Sequence, residues 1–146
     1  MDYLDLIEYG TLAAEIIVFL SLIVGIIAWC FIFKKADIHP AKLFIPFYGV
    51  YLKYAVAESR SLFFVSIIVS FLSVLISSFL KGINSSAVTI ISLISLSINS
   101  IISIIFNVRL SRNFGKSGAF AVGLILLNPI FLCILAFGPD EYLGYV

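Results

Sequence analysis

Long uncharged apolar runs alternate with short polar segments along this chain. The runs lie at about residues 12–33, 62–80, 87–108 and 119–137. A helix needs about 20 apolar residues to cross the roughly 30 Å hydrocarbon layer of a membrane. The pattern therefore predicts an all-α protein, folded as a four-helix transmembrane bundle that forms a single integral membrane domain over residues 1–146.

The segment after the first run, about residues 40–58, has a different pattern. Four aromatic residues and one alanine follow 3–4 spacing and would share one helix face: Phe44, Phe47, Tyr48, Tyr51 and Ala55. Lys42 and Lys53 fall on the opposite face, a pattern typical of a helix that lies in the membrane interface. Pro40 suits the start of such a helix and Pro46 a bend. We expect an interfacial amphipathic helix, acting either as a simple connector or as a lid or docking surface.

Small polar residues recur on one face of the second and third runs. The second run carries Ser66, Ser70, Ser73 and Ser77, and the third carries Ser92, Ser95, Asn99 and Ser103. A short turn joins these runs, so the two helices are antiparallel neighbours. Small hydroxyl residues let membrane helices approach closely and form hydrogen bonds across the contact. The two stripes are expected either to pack against each other or to line a polar path.

The fourth run carries Asn128 and Pro129 at its centre. Proline lacks an N–H group, so Pro129 predicts a kink in this helix. We expect Asn128 either to satisfy a freed backbone group or to bond a neighbouring helix. Together with the two stripes, these residues form the predicted set of intramembrane polar contacts.

Composition agrees with a membrane location. Hydrophobic residues make up 62% of the chain and charged residues 12%, and the mean hydropathy is +1.20. Soluble domains contain about 45–50% apolar and about 25% charged residues. The start, MDYLDLIEYG, lacks the basic residues of a secretory signal, so the first run is expected to be retained. Trp29, near the far end of that run, is expected to anchor at the headgroup level.

Charge orients the predicted bundle. Five of the nine Lys and Arg residues lie between the first and second runs and three lie between the third and fourth, whereas Lys81 stands alone between the second and third. Cytoplasmic loops carry an excess of Lys and Arg. The predicted orientation therefore has both basic segments in the cytoplasm and both termini outside. The predicted cytoplasmic interaction face comprises Lys34, Lys35, Lys42, Lys53, Arg109, Arg112 and Lys116.

Reactive side chains do not form a recognisable catalytic or metal-binding pattern. Cys30 and Cys133 lie at different depths of the predicted bundle and lack a CxxC spacing, which argues against a disulfide or a zinc site. His39 has no Ser or Cys pattern nearby. We expect no catalytic residue, no metal, no cofactor and no nucleic-acid partner.

Three short stretches resemble the motifs of an uncharacterised family of small bacterial multi-pass membrane proteins. They are Lys34-Lys35-Ala36, Phe44-Ile45-Pro46-Phe47-Tyr48 and Phe114-Gly115-Lys116-Ser117. The chain departs from the family pattern at Gly49, where Asn is usual. Some relatives are labelled signal-peptidase-like, but a Ser/Lys peptidase needs a folded extramembrane domain that the predicted short turn and tails do not supply. The resemblance implies a multi-pass protein of the bacterial cytoplasmic membrane without assigning an activity.

Two functions remain as expectations. The first is a non-catalytic accessory, immunity-type or lipid- and protein-interaction subunit that docks through the basic cytoplasmic face. Its partners would be anionic headgroups of the bilayer, a membrane protein or a second copy of the chain, since each Lys or Arg near an anionic leaflet adds about 1 kcal/mol. The alternative is a small oligomeric transporter or channel lined by the serine stripes. Ionisable residues are absent from the middle of the predicted spans, which disfavours transport.

Overall fold

Helices form the regular structure of this chain. The computed structural model describes residues 3–80 and 85–144, with side chains from residue 9 onward. The elements are α1 (Tyr3–Lys35), a 3-10 helix (Pro40–Phe44), α2 (Tyr48–Val56), α3 (Arg60–Leu80), α4 (Ser85–Asn113), α5 (Gly118–Leu126) and α6 (Asn128–Phe137). Within these ranges there is no strand, so the prediction of an all-α chain is confirmed for the part that the structure describes.

The first three predicted spans lie within α1, α3 and α4. Among the described helices, three are long and apolar enough to cross a membrane: Tyr9–Lys35, Arg60–Leu80 and Ser85–Asn113. This property indicates a membrane protein. Helices α3 and α4 pack against each other as neighbours. The turn that joins them, with Lys81, lies outside the described residues.

The fourth predicted span, 119–137, is not one continuous helix. Helix α5 ends at Leu126 and α6 begins at Asn128, with the backbone of Leu127 at φ −127° and ψ 52° between them. The ring centroids of Phe120 and Phe131 are 5.1 Å apart. A straight helix would separate two residues 11 positions apart by about 16 Å. The chain therefore folds back on itself, and α5 and α6 form a helical hairpin.

Both ends of this hairpin lie at the same end of the molecule. The Nζ atom of Lys116 is 2.9 Å from Oδ2 of Asp140. A straight helix would hold these residues about 36 Å apart, because each residue adds about 1.5 Å. Each arm of the hairpin is only about 15 Å long, roughly half of the hydrocarbon thickness. The predicted fourth span is therefore not confirmed: the apolar run is long enough to cross, but it reverses halfway.

Three residues explain this reversal. A Cβ atom on Gly123 would overlap the ring of Phe131, so the missing side chain lets the two arms approach closely. Pro129 lies in the first turn of α6, where its missing N–H removes no intrahelical hydrogen bond. Nδ2 of Asn128 donates a hydrogen bond to the carbonyl of Leu124 at 3.1 Å. Asn128 thus satisfies a backbone carbonyl near the turn, the first of the two roles predicted for it.

The core of the protein lies at the end of the bundle that holds the hairpin. Its buried side chains come from the last turns of α1, from α2, from the end of α4 and from the hairpin. Ile32, Phe33, Leu124 and Leu135 have 0% exposure. Side chains of α1 between residues 9 and 27 are exposed or half-buried, because the hairpin does not extend along them.

The predicted interfacial helix over residues 40–58 is two short helices rather than one. The backbone of Phe47 has a positive φ of 61°, which separates the 3-10 helix from α2. A Cβ atom on Gly49 would overlap the backbone carbonyl of Leu43, so the 3-10 helix packs tightly on the start of α2. Phe47 is 76% exposed, whereas Ala55 is 1% exposed. The residues predicted to share one face are therefore divided between the surface and the core.

The segment after α6 lies at the end of the bundle where α1 and α4 finish. The N–H of Leu143 donates to the carbonyl of Asn113 at 2.8 Å, and the hydroxyl of Tyr142 donates to the carbonyl of Val56 at 2.9 Å. Burial raises the pKa of Tyr142 to about 12, which keeps this hydroxyl protonated at neutral pH. Helix α1 starts about 50 Å away, at its opposite end. The start of α1 and the segment after α6 therefore lie at opposite ends of the described structure.

Candidate functional site

Two cations of the predicted interaction face are used inside the protein. Nζ of Lys35 donates to the carbonyls of Leu135 at 2.7 Å and Gly138 at 2.8 Å, where α6 ends. The last carbonyls of a helix lack intrahelical partners, and a cation there also interacts favourably with the helix dipole. Lys116 forms its ion pair with Asp140. Lys35 and Lys116 therefore fasten the hairpin to the rest of the protein.

The Phe-Gly-Lys-Ser stretch shapes the connection between α4 and the hairpin. Gly115 has a positive φ of 66°, the left-handed conformation that commonly ends a helix. The N–H of Lys116 donates to the carbonyl of Ser111 at 3.0 Å, which closes the last turn of α4. Phe114 is 2% exposed and anchors this turn in the core. The stretch thus directs the chain back towards the core.

Four cations of the predicted face are exposed at this end of the bundle: Lys34, Lys42, Arg109 and Arg112. Nη1 of Arg109 donates to the carbonyl of Glu58 at 2.9 Å. An open cleft of about 410 Å³ lies between Glu58, Arg109, Arg112 and Asn113. The guanidinium groups of Arg109 and Arg112 therefore line an open cleft at the end of the bundle where α1 and α4 finish. We call this end the basic end.

Lys53, the remaining member of the predicted face, points towards α1. Its Nζ atom lies 5.2 Å from the centre of the Trp29 ring, within the range of a cation–π interaction. The side chain is half-buried. Burial lowers the pKa of Lys53, and the effect of Cys30 opposes this shift. Lys53 therefore carries its charge into a partly apolar environment.

A cavity of about 250 Å³ lies beside Lys53. Its lining comes from α1, α2, α4 and α6 and includes Trp29, Tyr54, Ser103, Asn107 and Asn128. The cavity brings together three residues that the sequence assigned to separate sets. Lys53 was placed on the basic face, whereas Ser103 and Asn128 were placed among the intramembrane contacts. The hairpin unites them, because its turn brings the start of α6 to the wall of this cavity.

Asn107 is a cavity residue that the sequence did not identify. Its side chain is 4% exposed, and Nδ2 donates to the carbonyl of Ser103 at 2.8 Å. A carbonyl only accepts hydrogen bonds, so the amide nitrogen must face Ser103. Oδ1 of Asn107 then has no hydrogen-bond partner within the described part of the chain. The available signal was the four-residue spacing of Asn99, Ser103 and Asn107, which extends the predicted stripe by one more turn.

The serine stripes of α3 and α4 face each other around Asn99. Oγ of Ser66 donates to Oδ1 of Asn99 at 2.6 Å. Nδ2 of Asn99 donates to the carbonyl of Ser95 at 2.9 Å and approaches Oγ of Ser70 at 3.4 Å. The amide of Asn99 is thereby satisfied by neighbouring groups.

Further along the same two helices, the stripes separate. Ser73, Ser77 and Ser92 line an open groove of about 340 Å³. Oγ of Ser92 donates to the carbonyl of Val88 at 2.9 Å, so it satisfies its own helix. The predicted stripes therefore form a hydrogen-bonded contact in one part and an open groove in the other.

His39 has a structural role at the start of the 3-10 helix. Its Nδ1 atom accepts a hydrogen bond from the N–H of Ala41 at 3.3 Å, which caps that helix. The part of the chain that the structure describes contains no cluster of three or more His, Cys, Asp or Glu residues that could hold a metal ion. Cys30 and Cys133 are both free thiols.

Comparison with known proteins gives one family. A model described as a family of unknown function, DUF5684, matches residues 41–145, which is more than two thirds of the chain. No curated protein and no solved structure gives a significant match. The matched region runs from the 3-10 helix through the hairpin and includes the cavity residues of α2, α4 and α6. The chain therefore belongs to this family of unknown function.

Proposed function

We propose that the protein is a non-catalytic protein of the bacterial cytoplasmic membrane, with three spanning helices and one re-entrant hairpin. Its basic end faces the cytoplasm, since cytoplasmic segments of membrane proteins carry an excess of Lys and Arg. The segment after α6 then lies on the cytoplasmic side as well. The short arms of the hairpin support this arrangement, because each arm is only about half as long as the hydrocarbon layer is thick.

The basic end interacts with anionic lipid headgroups, and the protein acts there as an accessory or lipid-organising subunit. One observation carries this proposal: an exposed cation lies among exposed aromatic residues on a single segment. Lys42 is exposed, and Phe44 and Phe47 on the same segment are 68% and 76% exposed. Aromatic residues enter the boundary between headgroups and acyl chains, and neighbouring cations then meet anionic headgroups.

Other contacts favour an interaction role over catalysis or transport. Lys35, Lys116 and His39 make hydrogen bonds or ion pairs that hold the fold. Asn99, the polar residue expected near mid-membrane, is bonded to Ser66 across the α3–α4 contact. This contact supports packing of the stripes there, and no observation favours a permeation path at the same place.

The test is the preference of the purified protein for phosphatidylglycerol over phosphatidylcholine in mixed vesicles. Spin-labelled lipids measured by electron paramagnetic resonance give this preference directly. Lys42→Gln and Arg112→Gln should each lower it about fivefold, the equivalent of about 1 kcal/mol for each cation at the surface. Lys42→Arg keeps the charge and should keep the preference. An unchanged preference in the double variant would remove the basis for a lipid-binding surface.

A further inference from the structure

We propose that the cavity beside Lys53 binds a phosphate ester, such as the phosphoglycerol headgroup of a lipid. This cavity is distinct from the surface formed by Lys34, Lys42 and Arg112. It lies between four helices and holds one ligand in a defined place. The proposal does not depend on the surface function.

Lys53 supplies the cationic part of the site. Among the described residues, no carboxylate lies within 4.0 Å of its Nζ atom. The ring of Trp29 lies on one side of the ammonium group, at 5.2 Å from its centre. A cation that loses water on burial needs a compensating anion or strong acceptors. A phosphate oxygen in the cavity would supply both.

The remaining lining fits this chemistry in size and polarity. The volume of about 250 Å³ equals about eight water molecules at about 30 Å³ each. This space accommodates a phosphate with a short hydroxyl-bearing chain. Asn128 and Tyr54 provide further polar atoms, and the Trp29 ring provides an apolar wall. Indole rings prefer the headgroup level of a membrane, which agrees with a lipid as the source of the phosphate.

Trp29 makes the site directly measurable, because it is the single tryptophan of the chain. The full-length protein in maltoside micelles is titrated with dihexanoyl phosphatidylglycerol, and Trp29 emission is recorded. We expect a saturable change. Lys53→Gln should raise the midpoint at least tenfold, and Asn128→Ala should raise it severalfold. Lys42→Gln, which removes an equal charge from the surface, should leave the midpoint unchanged.

Two further ligands separate the possible sources. Dihexanoyl phosphatidylcholine carries a choline cation beside its phosphate, so its headgroup has no net negative charge for Lys53 and it should bind at least tenfold more weakly. Glycerol 3-phosphate has the headgroup chemistry without acyl chains. Saturation by glycerol 3-phosphate at the same midpoint would support the site with a soluble phosphate ester as its ligand.

Three results would overturn the proposal. The first is the absence of a saturable change with both phosphatidylglycerol and glycerol 3-phosphate. The second is an unchanged midpoint in both Lys53→Gln and Asn128→Ala, with circular dichroism showing that each variant is folded. The third is an equal weakening by Lys42→Gln and Lys53→Gln, which would assign the binding to surface charge.

Discussion

Lys34 and Lys35 are adjacent and chemically identical, yet they have different surroundings. Successive residues on a helix differ by about 100° in direction, so neighbouring side chains face different partners. Lys34 is exposed, whereas Lys35 reaches two carbonyls at the end of α6. The sequence assigned both residues to one interaction face. It does not contain the information that separates them, because the partners of Lys35 lie about 100 residues further along the chain.

This difference gives a prediction for stability. Lys35→Met should lower the free energy of unfolding by about 2 kcal/mol, because hydrogen bonds to charged groups contribute about 1.5–3 kcal/mol. Lys34→Met should change it by less than about 0.5 kcal/mol, as for most surface substitutions. Equilibrium unfolding in mixed micelles with increasing dodecyl sulfate measures both values. Equal effects of the two substitutions would contradict the capping role of Lys35.

At the scale of elements, the apolar runs predicted where helices form but not how the last run is directed. Hydropathy measures the length of an apolar segment, and residues 119–137 are long enough to cross. The signals for reversal were Asn128-Pro129 and Gly123, which are also compatible with a kinked span. Gly123 matters only because Phe131 packs against it, and that contact exists only in the hairpin. A kink and a reversal therefore cannot be separated from the sequence without the tertiary contact.

Crosslinking distinguishes the hairpin from a straight fourth span. The ring centroids of Phe31 and Phe137 are 4.8 Å apart, so α1 and α6 run side by side up to their ends. In a background without Cys30 and Cys133, the double variant Phe31→Cys with Phe137→Cys should react efficiently with a short bifunctional maleimide in membranes. Mobility on a gel after cleavage between the two positions measures the product.

The matched control pairs Phe137→Cys with Leu12→Cys. A four-span bundle would place these two positions at the same membrane surface. The hairpin instead places them at different depths, because residue 12 lies 19 positions before Phe31 on α1, about 28 Å along the helix. Crosslinking of this pair in preference to the Phe31 pair would contradict the hairpin.

At the scale of the whole molecule, the hairpin leaves three described helices that are long enough to cross a membrane, where the sequence predicted four spans. The grouping of basic residues at one end does not change, since the ends of α1 and α4 and the start of α3 remain together. The sequence therefore predicted this grouping on grounds that do not depend on the fourth run. The membrane side predicted for the segment after α6 did depend on the fourth run. The cavity depends on it as well, because the cavity residues meet only when α6 returns beside α1.

Accessibility from outside the cell tests the three-span arrangement. In a background without Cys30 and Cys133, Gly10→Cys marks the start of α1 and Leu143→Cys marks the segment after α6. With three crossings and the basic end in the cytoplasm, a membrane-impermeant maleimide should label Gly10→Cys on intact cells. It should label Leu143→Cys only after permeabilisation, because Leu143 is bonded to Asn113 at the basic end. Arg112→Cys, also at that end, serves as the cytoplasmic control.

Each alternative gives a different labelling pattern in the same experiment. Labelling of both Gly10→Cys and Leu143→Cys on intact cells would support four crossings, because an even number of crossings returns the chain to the side on which it began. Labelling of Leu143→Cys together with Arg112→Cys, but not Gly10→Cys, would keep the hairpin and reverse the bundle. That result would contradict the charge rule, because the exposed cations would then lie on the outer surface. The hairpin fixes the relative sides of α1 and the last segment, and only the charge distribution fixes which side is the cytoplasm.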